Sequence, residues 1–393
     1  MLGKLKRFAK NALAVPLVRK TYNGANRAVL ELGGSSRIGA TLYSIPGFFT
    51  QNREQWAVLS GRRAYYKNLG SDRATHVELR RNIHRLEKGI LMQPRREVFA
   101  RDYIEETVEF YAVALRRPAT VSNLDAGEMQ WAHDVLAEYF TIVTGADASV
   151  ERSRATFEAL ATFGTRASVH PYPQGDLPKT DITYEQILEL AESRRSVRWF
   201  QDRPVERELI DKALLVARQS PSACNRLPYE YLVFDDPATV QQVAGIPFGA
   251  TGYAHQIPTV IVIKGDLSNY FSPRDRHVPY IDASLATMGF IYALETLGLS
   301  SSCINWPDFE PLEGRMAKTL RLKPHERVIM LLAVGYAQPD ALVAYSKKKS
   351  IDNLRTFDRE TRKRTRKSGS GAAGAGGAEL GDATAAHAEG DFD

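Results

Sequence analysis

Between residues 280 and 297 the chain reads YIDASLATMGFIYALETL, a helix-length segment that is apolar on nearly every face. Such a helix is stable only where it is covered on all sides. A central helix in a subunit interface meets that demand. Its small residues, Ala283, Ser284, Ala286, Gly289 and Ala293, suit close packing.

The pattern around this segment is mixed. β-rich runs stand at 229–234, 259–264 and 327–336, and helical runs at 184–193 and 206–219, with Thr183 placed to cap the first of them. Upstream the pattern is helical only, with runs at 75–92, 103–115, 128–143 and 150–163. Residues 170–178, HPYPQGDLP, form a linker between the two patterns. The expected organisation is a helical N-terminal region over 1–175, an α+β module over 176–357, and a tail over 358–393. No internal repeat is visible. A length of 393 residues exceeds a typical single core, and 44% hydrophobic with 25% charged residues is a soluble globular composition.

Charge and cysteine content narrow the function classes. Lys and Arg number 52 against 46 Asp and Glu. Residues 368–393 carry five acids and no Lys or Arg, so 52 basic residues face 41 acidic ones over the rest. Such an excess suits an anionic ligand or surface but does not choose one. The basic cluster 362–367 reads as a solvated tail, and nucleic acid is not expected as a partner. A G-x-G-x-x-G match at Gly369, Gly371 and Gly374 follows no strand and enters no βαβ unit, so it is no dinucleotide fingerprint. Cys224 and Cys303 build neither a disulfide framework nor a zinc site and read as small buried hydrophobes in a cytoplasmic protein. Residues 1–20 form a basic amphipathic segment, with Leu2, Leu5, Phe8 and Ala9 set apart from Lys4, Lys6, Arg7 and Lys10. Pro16, Arg19 and Lys20 break the signal-peptide pattern. The segment fits either a helix packed on protein or contact with a membrane surface. His84 and Glu87 share a helix face, which reads as a structural bond, and no metal site is expected.

The chemistry-bearing segments come in order. Ser193-Arg194-Arg195-Ser196-Val197-Arg198-Trp199-Phe200 puts three arginines and a serine in a turn after a helix, where guanidinium forks suit a phosphate. Ser220-Pro221-Ser222-Ala223-Cys224-Asn225-Arg226-Leu227-Pro228 follows a helix and precedes a strand; its small residues admit a flat ring, and Asn225 offers a donor and an acceptor. Ser346-Lys347-Lys348-Lys349 comes after the last strand. The ordered set R-R-S-x-R-x-F, P-S-x-x-N-x-x-P, L-G-L-S-S-S-C-I and V-G-Y followed by basic residues resembles the nitroreductase family over residues 180–357.

That resemblance implies an FMN-dependent oxidoreductase of α+β fold, with a central mixed sheet flanked by helices and a homodimer formed through the long apolar helix. It assigns Arg194, Arg195 and Ser196 to the ribityl-phosphate side of FMN, Arg198 to the flavin pyrimidine, and Lys347 and Lys349 to the phosphate. Pro221, Ser222 and Asn225 would come from the second subunit, and Asn305 would approach flavin N5. Flavin N5 carries the chemistry, with no catalytic side chain. Electrons would pass from NADH or NADPH to an electron-poor small-molecule acceptor in a ping-pong order. Two departures stand out. Arg226 replaces a common glutamine and is expected to add charge beside the ring, while Asn305-Trp306 replaces a smaller or acidic pair. The contrasting expectation is a non-catalytic flavin-binding protein, or one working at a membrane surface or in an assembly.

Overall fold

The computed structural model describes residues 16–45, 48–69, 76–116, 126–144, 147–160 and 169–357. Residues 1–15 and the tail from 358 lie outside them, so the start of the basic segment and the acidic tail carry no structural account.

Three helices open the described chain: α1 (Pro16–Gly34), α2 (Arg37–Ser44) and α3 (Phe48–Asn68). Ser36 caps α2 by accepting from the Gly39 amide at 3.0 Å. Next come α4 (Val77–Ile90), α5 (Ile104–Leu115), α6 (Ala126–Ile142) and α7 (Ala148–Glu158). The buried positions of α4, namely Leu79, Ile83, Leu86 and Ile90, recur at helical spacing and form one stripe. They meet Ile104, Val108 and Tyr111 of α5 and Leu136 and Tyr139 of α6 in one apolar cluster. The buried Tyr139 hydroxyl donates to the Phe99 carbonyl at 2.7 Å, so this core leaves that phenol satisfied.

The second half holds α8 (Tyr184–Ser193), α9 (Arg207–Ala217), β1 (Tyr229–Phe234), α10 (Pro237–Ala244), β2 (Thr259–Asp266), α11 (Val278–Thr296), β3 (Ser300–Asn305), α12 (Glu310–Leu320) and β4 (Glu326–Gly335). The sheet order is β1-β2-β4-β3, antiparallel throughout. Strand β2 is a continuous apolar run because both its faces are covered. Val260 and Val262 point to a cluster containing Val240, Val243, Leu312 and Met316 of α10 and α12. Ile261 and Ile263 point the other way, to Ala283, Ala286, Phe290 and Leu294 of α11 and Ala213 of α9. The α+β expectation and its flanked sheet stand, but the sheet is not mixed: all three of its strand pairs run antiparallel.

The halves are fastened at α3. Arg53 forks onto Glu310 at 2.5 Å through each nitrogen, and Arg62 Nε donates to the Phe271 carbonyl at 2.9 Å. A Cβ on Gly61 would meet the Leu267 carbonyl oxygen at 2.7 Å, so only glycine admits this approach.

Two features are not part of the expected pattern. Strand β3 is not legible as a strand, because Ser300-Ser301-Ser302 has low strand preference; pairing with β4 imposes the conformation. The long helix is covered only on its sheet side within one chain. Ile281 is 56% and Leu285 48% exposed, and Met288 lies on the same face.

Candidate functional site

The arginine turn is held by backbone. Helix α8 starts with a reciprocal cap between Thr183 and Gln186 and ends where Arg194 turns extended. Ser196 then bridges Ser301 of β3 in parallel, with the Val197 amide donating to the Ser301 carbonyl at 3.0 Å. Gln256 clamps the next residues: its Oε1 accepts from the Phe200 amide at 2.8 Å and its Nε2 donates to the Arg198 carbonyl. The Gln201 amide reaches the Tyr336 carbonyl at 2.8 Å, tying the turn to the end of β4. Val197 and Phe200 are buried while Arg198 and Trp199 between them are exposed, so the turn is anchored at both ends with its charge outward.

Beyond β4 the chain returns to the same place. Arg194, Arg195, Ser196 and Arg198 line one groove of about 670 Å³ with Lys347, Lys348 and Lys349. Six cations thus share a lining whose one carboxylate is Glu192. Among the described residues none of the six has an ion pair within 4 Å. Arg195 and Arg198 reach only backbone carbonyls. Cations so gathered repel one another until an anion joins them. Beneath the turn, burial pushes the Glu295 carboxyl up to about 7, against the opposing charge of Arg194. Glu295 Oε1 is buried with no hydrogen-bond partner.

The second loop is held from below by Asp282 of α11. One oxygen of this buried carboxylate accepts from Ser222 Oγ at 2.9 Å and from the Ala223 amide at 3.0 Å. Ser222 Oγ in turn accepts from the Leu227 amide at 2.8 Å. Cys224, Asn225 and Leu227 all have positive φ, of 52°, 51° and 46°. Three such non-glycine residues cost roughly 1–3 kcal/mol each, and a loop this strained has to be held. Burial raises the Asp282 pKa above the usual carboxylate range, opposed by its two hydrogen bonds and by Arg226.

Arg226 is a correction. It does not add charge beside a ring at the loop surface; it is buried at 5% exposure, with its guanidinium 5.0 Å from the Tyr270 ring centre. The left-handed turn at Leu227 and the packing of α4 on this loop draw it inward, and Arg80 of α4 donates to the Arg226 carbonyl at 3.2 Å. Cys303 is also corrected: it is exposed on β3, while Cys224 is buried. Trp306 is buried, its ring N–H donating to Glu313, so it turns away from solvent.

The structure therefore brings Arg194, Arg195, Ser196, Arg198, Lys347 and Lys349 to one groove. Pro221, Ser222 and Asn225 lie on the separate Asp282-held loop, and Asn305 ends β3, exposed and opposite Met330. None of these four lines the groove. Sequence patterns give no sign of Gln256, Asp282 or Glu295, whose roles depend on contacts between distant segments. Near His84 the bond is structural: its Nδ1 lies 3.2 Å from Glu87, whose other oxygen accepts from Trp131 at 2.9 Å. Among the described residues no group of three His, Cys, Asp or Glu is suited to hold a metal.

Comparison with known proteins adds the following. A model described as the Nitroreductase family matches residues 191–251 and 245–336. A Methanothermobacter thermautotrophicus protein, provisionally named an NADH dehydrogenase/NAD(P)H nitroreductase, is 31% identical over 162 residues, covering 39% of this chain and 79% of its own. Human iodotyrosine deiodinase 1 is 25% identical over 215 residues, covering 47% of this chain and 71% of its own. Among solved structures, an FMN-dependent nitroreductase from Clostridium difficile is 23% identical and covers 44% of this chain and 99% of its own, with a TM-score of 0.39.

Proposed function

This chain belongs to the nitroreductase family of oxidoreductases, and from that premise we propose that it is an FMN-dependent NAD(P)H oxidoreductase acting on an electron-poor small molecule. The observation that carries the cofactor is the groove. Six cations that have no ion pair among the described residues line a groove of about 670 Å³, which fits a phosphate with room for its ribityl chain. Arg194, Arg195, Ser196, Lys347 and Lys349 would hold the phosphate side, and Arg198 would stand near the ring and favour its reduced, negatively charged form. When bound, FMN supplies a two-electron relay at N5 between nicotinamide donor and acceptor, in a ping-pong order. The protein's own part is to position the ring and to offset charge, so no side chain need act as acid or base.

Pro221, Ser222, Asn225 and Asn305 complete the site in a homodimer, the first three from the second copy. The exposed face of α11 supports that arrangement, and a two-fold axis then makes two equal sites. We also place the protein in the cytoplasm. Among the described residues no helix is long and apolar enough to cross a membrane.

The test is the visible spectrum of the purified protein, followed by anaerobic addition of NADH or NADPH. A flavin band that bleaches is expected, and Arg194→Ala with Arg198→Ala should give a folded, colourless protein. A wild type that neither carries nor takes up FMN would overturn the proposal. A double variant that keeps stoichiometric FMN would overturn the site. Reoxidation by nitroaromatics, quinones and iodotyrosine then ranks acceptor classes, the last included because a relative bears the deiodinase name.

A further inference from the structure

Helices α1 and α2 leave an apolar surface that the flavin site does not use. Ala25, Val29 and Leu32 follow one another at i, i+4 and i+7 along α1, and Val29 is 47% and Leu32 76% exposed. Ile38, Leu42 and Ile45 repeat that spacing on α2 and its C-cap, at 75%, 61% and 64% exposure. Two successive helices thus each present an aliphatic stripe to solvent, where single scattered apolar residues would need no explanation.

The same stretch is strongly one-signed. Residues 16–45 carry four Lys and Arg (Arg19, Lys20, Arg27 and Arg37) against a single acid, Glu31, a net of +3. A protein partner's apolar groove would cover the aliphatic stripes but leave this charge unmatched. A polyanion such as nucleic acid would match the charge but leave the leucines and isoleucines in water. A bilayer with anionic headgroups offers both an apolar interior and a negative surface. The geometry points to peripheral docking: we propose that residues 16–45 lie on an anionic phospholipid surface, with the stripes of α1 and α2 entering the boundary between headgroups and acyl chains. The segment lies on the membrane and does not span it, since no described helix has the required length and hydropathy.

The experiment is co-sedimentation of the full chain with vesicles of phosphatidylglycerol mixed with phosphatidylcholine, and with phosphatidylcholine alone. Binding to the mixed vesicles, weakened by salt, and little binding to the neutral ones are expected. The triple variant Ile38→Asp, Leu42→Asp, Ile45→Asp should lose binding by roughly tenfold or more. Lys20→Gln with Arg37→Gln should weaken it several-fold and flatten its salt dependence. Unchanged circular dichroism and melting would show that both variants fold. The proposal falls if wild type stays in the supernatant with anionic vesicles, or binds neutral ones equally well. It falls too if the triple variant sediments like wild type. A wild type that ignores lipid but forms an oligomer that the triple variant loses would show instead that this face joins copies of the chain.

Discussion

At the scale of single residues, Glu295 couples the site to pH. Its Oε1 is buried without a partner beneath the arginine turn, and burial lifts its pKa from the ordinary 4.5 to about 7. An acid whose pKa rises on folding is held protonated by the native state. Below about pH 4.5 both states are protonated and nothing is lost. Between 4.5 and 7 the unfolded chain gives up its proton first, so stability falls as pH rises, and above 7 the loss is complete. Glu295→Gln removes this dependence. Variant and wild type should melt together near pH 4.5, and the variant should melt higher at pH 8. The gain should be small, because the side chain is only partly buried and water screens its charge. Each kcal/mol recovered corresponds to roughly 2–4 °C for a module of this size. Equal melting at both pH values would show that the carboxyl is solvated in the native state.

At the scale of elements, the Ser222–Leu227 loop is the one held against its own preference. Asp282 anchors its start and Arg80 of α4 its Arg226 carbonyl, while three residues sit at positive φ. Asp282→Asn keeps the shape but removes the charge that strengthens both hydrogen bonds, an effect of about 1–3 kcal/mol. Because burial already disfavours that charge, melting temperature should hold or rise while FMN affinity falls by roughly tenfold. Fluorescence titration against FMN reads the second quantity, and unchanged affinity would reduce Asp282 to a packing residue. The loop also shows what the sequence could carry. Its small residues and prolines marked it out, as a continuous apolar run marked β2 and helical spacing marked α4. What stayed hidden was tertiary in origin. Serine-rich β3 becomes a strand through pairing with β4, Arg226 turns inward because α4 covers the loop, and Gln256 meets Arg198 only once the chain has folded. The groove lies between these cases: its two basic segments were visible separately, about 150 residues apart, and the extended chain after β4 brings them together.

At the scale of the whole molecule, the long apolar helix poses a demand that one chain leaves half met. The sheet side of α11 buries Ala283, Ala286, Phe290 and Leu294 completely, while Ile281, Leu285 and Met288 face solvent at helical spacing. Next to it, Leu215 and Val216 of α9 and Ile187 and Leu188 of α8 are exposed as well. An exposed apolar face of this kind is what the proposed homodimer would bury, and stable interfaces bury on the order of 1,600 Å² in total. A two-fold pairing would cover the same patch on both copies. It would also let the Asp282-held loop of one copy serve the other's groove, which explains why Pro221, Ser222 and Asn225 stand apart from the arginines within a single chain. The prediction therefore joins assembly to cofactor. Leu285→Glu with Met288→Glu puts four charges into a symmetric interface and should give a folded monomer by sedimentation velocity. If the site is shared, that monomer should also release its FMN, although neither residue lines the groove. A variant that remains dimeric would move the interface elsewhere. One that becomes monomeric yet keeps its flavin would show that a single chain holds the cofactor alone.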